Sequence, residues 1–305
     1  MKDYQIRRVV LGLDRDGLAS HALTRAMDIA ASCDAKLDVV HAVDIHPPLR
    51  GSSSGPEWAA TTAAAMAEAH RALEGKLELS VETPPFAELP VSDYLTVRVG
   101  KPSEVLLCFA EEHSADLIVL GPHKHRKLFD FGGTARAVVA RSPCPLWVET
   151  QEPKPIKRIL AAVDLSEESE KVLALARTMA GVFDAPVKVL HSFFEPSFAY
   201  DFEGHEPTGP TYVIEHVRRS TEEALDELVS GFAWGGVEAE TEFTSGEAFR
   251  EILDRQGQAD LIVMGSHGRS AIGSAVLGSQ AYKVLRSAEI PVALVHQSAH
   301  PLLGA

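Results

Sequence analysis

Short, continuous runs of Val, Ile and Leu recur along the chain, and the stretches between them carry apolar residues at helical spacing. A run that is apolar at every position, instead of every second one, suits a strand covered on both faces of a parallel sheet. Strands are expected at residues 7–13, 37–43, 94–99, 116–121 and 145–149, and again at 157–163, 186–192, 238–244, 260–265 and 291–296. Helical periodicity fills SEESEKVLALARTMAGVF and TYVIEHVRRSTEEALDELVSGF in the second half, with Ser166 placed as N-cap of the former. Strands alternating with helices predict a doubly wound α/β fold.

The pattern is written twice. RRVVLGLD at Arg7–Asp14 returns as KRILAAVD at Lys157–Asp164, ADLIVLG from Ala115 returns as ADLIVMG from Ala259, and CPLWVE from Cys144 corresponds to IPVALVH from Ile290. The expected architecture is two tandem Rossmann-like domains, residues 1–150 and 156–305, each a five-stranded parallel sheet with helices on both faces. The polar, proline-containing QEPKP at 151–155 links them. Sheets of this kind bind ligands outside the carboxyl ends of their strands at the topological switch point, which directs attention to Asp164 and Gly265.

Charge narrows the partners. A formal net charge of -14 opposes capture of nucleic acid or an anionic membrane, both of which need clustered Lys and Arg. No apolar stretch is long enough to span a bilayer, and the opening MKDYQIRRVVLGLD reads as a strand and not as a signal peptide, so a cytoplasmic protein is expected. Cys33, Cys108 and Cys144 form neither a CxxC pair nor a metal cluster, and are expected to be buried structural thiols in a reducing compartment.

The chemistry-bearing segment is MGSHGRSAIGSAVLGSQAYKVL, in which Gly265 is followed after two residues by Gly268, and nine residues later by Gly278 and Ser279. Gly265 and Gly268 admit a backbone close to phosphate oxygens and can supply positive φ at the turn. Gly278 and Ser279 open the next helix, whose unpaired amides, dipole and Ser279 hydroxyl make an anion site, with Arg269 adding charge. The spacing resembles the G-x2-G-x9-G-(S/T) signature of ATP-binding universal stress proteins, and the resemblance extends over nearly the whole chain, once per half.

That resemblance implies an adenine nucleotide alpha hydrolase-like fold. It also implies that Ala162, Asp164 and Ser192 line the adenine and ribose side with Met264 nearby, and that Gly265, Gly268, Arg269, Gly278, Ser279 and Gln280 hold the phosphates. Asp164 has a second reading, as the residue that begins a turn or caps the following helix. The implied function is an ATP-binding, stress-response regulatory module with little or no hydrolysis, acting on an unidentified protein partner. The alternatives are slow hydrolysis with Mg²⁺ between the phosphates and Asp164, an ATP-dependent adenylylating enzyme, and a nucleotide-free scaffold. The adenylylating reading lacks its SGGxDS loop, since the chain reads DLSEES after the first strand of the second half. The family also pairs final strands across a dimer axis, so an intramolecular pseudo-dimer through LWVE and VALVH is implied, with a homodimer of two chains left open.

The first half departs from the motif. It reads LGPHKHRKLFDFGGTARAVV, with Gly121 kept, Lys124 at the second glycine position, and Gly132 and Gly133 in place of Gly278 and Ser279. The Lys124 side chain is expected to crowd a phosphate path. The other reading is that Lys124, Arg126 and Lys127 hold an anion through side-chain charge. His123 and His125 are expected to be loop histidines and not metal ligands, and His41 and His191 to be hydrogen-bonded core histidines. GSSSG at Gly51–Gly55 lacks the strand and helix of a nucleophile elbow and reads as a flexible loop, whereas the aromatic FFEPSFAYDFEGHEPTGP reads either as a lid or as a mobile loop. Neither a Walker A nor a G-x-G-x-x-G motif occurs.

Overall fold

The computed structural model describes residues 5–14, 21–45, 56–81, 83–121, 133–150, 152–194, 211–267 and 277–296. The first half runs β1 (Arg8–Leu13), α1 (His21–Ser32), β2 (Lys36–Val43), α2 (Pro56–Ser80), β3 (Leu95–Val99), α3 (Pro102–Glu112), β4 (Leu117–Leu120), α4 (Gly133–Arg141) and β5 (Leu146–Val148). The second repeats it as β6 (Ile159–Ala162), α5 (Ser169–Phe183), β7 (Val187–Phe193), α6 (Thr211–Gly231), β8 (Ala239–Ser245), α7 (Ala248–Asp254), β9 (Leu261–Gly265), α8 (Ser279–Ser287) and β10 (Val292–Val295).

All ten strands lie in one sheet of order β3-β2-β1-β4-β5-β10-β9-β6-β7-β8. Every neighbouring pair inside a half is parallel, as continuous apolar runs require. The halves meet where β5 and β10 pair antiparallel, Val148 opposite Val292, Trp147 opposite Ala293 and Leu146 opposite Leu294. Trp147 is fully buried, and the small Ala293 across from it leaves room for the indole.

The helices divide between two apolar layers that both run through the two halves. Leu23 and Met27 of α1, Leu73 and Leu77 of α2, Leu173 and Met179 of α5, and Leu225 and Val229 of α6 pack on one face. Leu106 and Phe109 of α3, Val138 and Val139 of α4, Ile252 of α7, and Val284 and Leu285 of α8 pack on the other. A core continuous across the β5–β10 seam makes the halves one packing unit. No described helix is long and apolar enough to cross a membrane.

The duplication extends to paired side-chain and turn contacts. His41 and His191 are buried, and their Nδ1 atoms lie 2.8 Å from the Leu13 carbonyl and 2.9 Å from the Val163 carbonyl, so both are the expected hydrogen-bonded core histidines. Gly100 and Gly246 occupy equivalent turns at φ 144° and 151°, donating to Val43 O and Phe193 O. Two expectations are corrected. Ser166 does not cap α5: Glu168 precedes that helix without a side-chain cap, and the Ser166 hydroxyl donates to Asp164 instead. The cysteines are not uniformly buried, because Cys144 is buried, Cys33 is half-buried and Cys108 sits exposed on the outer face of α3.

Candidate functional site

In each half the connections β1→β2→β3 and β4→β5, or their equivalents, leave the sheet centre in opposite directions, so the switch point of the second half lies between β6 and β9. Ala162 pairs in register with Met264, and Asp164 follows two residues beyond that pair, past the carboxyl end of β6. The turn there is tight, with Leu165 in the left-handed region at φ 59°. Asp164 holds it together: Oδ1 accepts from the Ser166 amide at 3.1 Å, the Ser166 hydroxyl at 2.6 Å and the Ser169 hydroxyl at 3.2 Å. Its second oxygen, Oδ2, is buried without a hydrogen-bond partner. A buried carboxylate oxygen in that state is costly and calls for an explanation, because such atoms are paired nearly everywhere in folded proteins.

Beside it, β9 delivers Gly265, Ser266 and His267. The Ser266 amide donates to Val295 O at 2.8 Å and its carbonyl accepts from the Gly278 amide at 2.9 Å, which brings the start of α8 to the end of β9. Helix α8 opens at Ser279 directly after Gly278, and its first-turn amides have no intrahelical acceptor. Gly265 sits close to the backbone of its own turn. A Cβ there would lie 3.0 Å from the His267 carbonyl oxygen. Gly265 does not take the positive φ expected of it.

The remaining expected residues are placed unevenly. Met264 is buried in the apolar layer of α7 and α8, and Ala162 is half-buried against the same layer. Ser192 lies within β7, and its hydroxyl donates to Gly246 O at 2.8 Å, fixing the turn after β8. The Gln280 side-chain oxygen accepts from the Phe249 amide at 3.2 Å, so that group ties α8 to α7 while the Gln280 backbone stays in the first turn. Gly268 and Arg269 lie outside the described residues, as do Gly132, His123, Lys124, His125, Arg126 and Lys127 of the first half and residues 195–210 of the aromatic segment.

The chain matches the universal stress protein family over residues 5–148 and again over 155–296. It belongs to the universal stress protein family. The universal stress protein Rv2005c of Mycobacterium tuberculosis is 24% identical over 308 residues, spanning 95% of this chain and 97% of its own length. A Thermus aquaticus universal stress protein of about half the size is 34% identical over 142 residues, 46% of this chain and 98% of that one. Among solved structures, the Pseudomonas aeruginosa protein PA1789, described as functionally unknown, superposes with a TM-score of 0.66 at 17% identity, covering 97% of this chain and 94% of its own. That last likeness concerns the fold.

In this universal stress protein, glycine spacing alone overlooks the histidines around the motif. His267 receives or gives a hydrogen bond at Nδ1, 2.9 Å from the Ser266 hydroxyl, and its Nε2 is buried without a partner. Its ring stands edge-on to that of His296 with centroids 5.4 Å apart, and His296 Nε2 lies 2.8 Å from Ala140 O at the end of α4. Burial pushes the His296 imidazole below its ordinary range, with the neighbouring His267 and Lys171 acting in the same direction and the Ala140 carbonyl and Glu168 against it. The signal available in the sequence is that His267 sits between the first two motif glycines and His296 closes the last strand.

Proposed function

We propose that the second half binds ATP and that binding, with little or no hydrolysis, is the function: a nucleotide-dependent regulatory module in which the β5–β10 seam makes the chain an intramolecular pseudo-dimer. The observation that carries this reading is the buried, unpartnered Oδ2 of Asp164 beyond the carboxyl end of β6. A ribose hydroxyl donating to that oxygen would supply the missing hydrogen bond. The backbone at Gly265 and the amides of α8 after Gly278, together with the Ser279 hydroxyl, would hold phosphate oxygens. Gly268 and Arg269 are assigned to the same phosphate path by the motif spacing alone. The bound group brings a polyphosphate and an adenine ring, and the chain's own part is to bind and orient them.

One observation favours slow hydrolysis as a second reading. His267 places an unpartnered Nε2 next to the glycine turn, and in the tautomer with its hydrogen on Nδ1 that nitrogen can accept a proton from water.

Asp164→Ala is expected to weaken ATP binding at least about tenfold in a calorimetric titration, the scale of one lost hydrogen bond to a charged group. Unchanged affinity would remove the observation on which the proposal stands. Turnover of ATP by the intact chain is expected well below about 1 s⁻¹, under the range of typical enzymes, and a faster rate lost in His267→Gln would move the conclusion to the ATPase reading.

A further inference from the structure

Helices α4 and α8 cover the same apolar layer on either side of the seam between the halves and touch across it. Their sequences, GTARAVVAR and SQAYKVLRS, hold Arg136, Arg141, Lys283 and Arg286 and no acidic residue. This stands against a net charge of -14 for the chain. The helices touch through Arg136, whose Nη2 donates to the Tyr282 hydroxyl at 3.3 Å and whose guanidinium lies 5.5 Å from the centre of that ring. Measured from Pro145 and Pro291, these two residues occupy equivalent places in the halves, so the contact sits at the middle of the seam. Lys283 and Arg286 continue the basic strip along α8, and Arg141 extends it along α4.

Among the described residues, acidic neighbours border the strip and pair with part of it. Glu104 of α3 pairs with Arg141 at 2.7 Å, while Glu247 pairs with Arg250 at 2.8 Å and reaches Lys283 at 3.9 Å. These pairs are on the surface, where an ion pair is worth little and a partner's carboxylate can replace the resident one. Arg136 and Arg286 are exposed. Each nine-residue helix is only about 13 Å long, room for a short acidic segment. A duplex nucleic acid would extend past the strip onto the acidic remainder of the surface and be repelled there.

From this geometry and charge we infer that α4 and α8 form a docking surface for a short, carboxylate-rich peptide segment of a partner protein. The inference is independent of nucleotide binding in the second half.

The test is a fluorescence-anisotropy titration of labelled hexaglutamate with the full chain, at low ionic strength and at about 0.3 M salt, where exposed charges are screened. Saturable binding is expected that weakens with salt and weakens at least about tenfold in Arg136→Glu/Arg286→Glu, while binding of a hexalysine control is not weakened by the substitutions. Lys283→Gln/Arg286→Gln, which leaves the Arg136–Tyr282 contact intact, should weaken binding in the same direction, and circular dichroism confirms that each variant is folded. Hexaglutamate binding that is absent, or equal in the folded variants and the natural chain, overturns the inference. A single-stranded oligonucleotide of equal charge that binds more tightly, and is lost in the same variants, overturns the assignment to a peptide.

Discussion

Arg25 and Glu149 form an ion pair of 3.0 Å between Nε and Oε2, with side chains only 3% and 1% exposed. The pair joins α1 to the end of β5 beside the seam between the halves. Glu149 also accepts from the Trp147 indole at 3.1 Å and from the Thr150 amide at 3.2 Å, and Arg25 donates to Lys154 O in the linker at 2.7 Å. The guanidinium packs against both Trp147 and Phe183 of α5, 5.4 and 5.6 Å from their ring centres. Every polar group of the cluster thus has a partner, which makes such burial tolerable.

Removing one member leaves a buried charge alone. Arg25→Ala and Glu149→Ala should each destabilise the chain by about 3–5 kcal/mol, seen as a lower urea midpoint, and the double variant should cost less than the sum. A loss within the range of surface substitutions would show that water reaches the cluster.

The same cluster has a pH signature. Burial holds the Glu149 carboxyl above the usual carboxylate range despite the opposing pull of Arg25. The folded state therefore keeps that proton to higher pH than the unfolded state, so the contribution of Glu149 to stability falls as pH rises from the ordinary carboxylate value through the raised one. The stability difference between the natural chain and Glu149→Gln should shift in the variant's favour across that window in urea melts, and no shift would contradict the assignment.

His296 titrates in the opposite sense. Its imidazole is held below the usual value of about 6.5, so the unfolded state binds the proton first and stability is lost as pH falls from that value through the lowered one. His296→Gln, which keeps a donor for Ala140 O, should remove this part of the acid destabilisation. An unaltered acid limb in the variant would place the loss elsewhere.

Thiol reactivity should separate the three cysteines. Burial pushes the Cys144 thiol up to about 12 and raises that of Cys33, while Cys108 is exposed. Iodoacetamide at mildly alkaline pH should modify Cys108 first and Cys33 slowly, reaching Cys144 only on unfolding, since the thiolate is the reactive form. Early labelling of Cys144 in peptide mapping would contradict its burial.

The ten strands are legible in the sequence to within two residues; the edge strand β8, AETEFTS, has no fully buried residue, whereas double burial leaves Val-, Ile- and Leu-rich runs in the inner strands. The core histidines are legible for the same reason. What escapes is any feature set by competition or by distance. Ser166 looks like a cap, yet the Asp164 carboxylate takes its hydroxyl. Ser192 and Gln280 look available to a ligand, yet Gly246 O and the Phe249 amide engage them. Arg25 and Glu149 are 124 positions apart, and nothing local marks either as the other's partner. At the candidate site, the glycine spacing locates the turn, whereas the unpartnered oxygen of Asp164 emerges only from three-dimensional burial.

The proposed function requires one ATP per chain, held in the second half. A calorimetric titration of the intact chain with ATP tests it most directly. Saturation at a single site is expected, with an affinity at least about tenfold lower in Asp164→Ala. Two equivalent sites, no binding, or a single site indifferent to Asp164→Ala would contradict it.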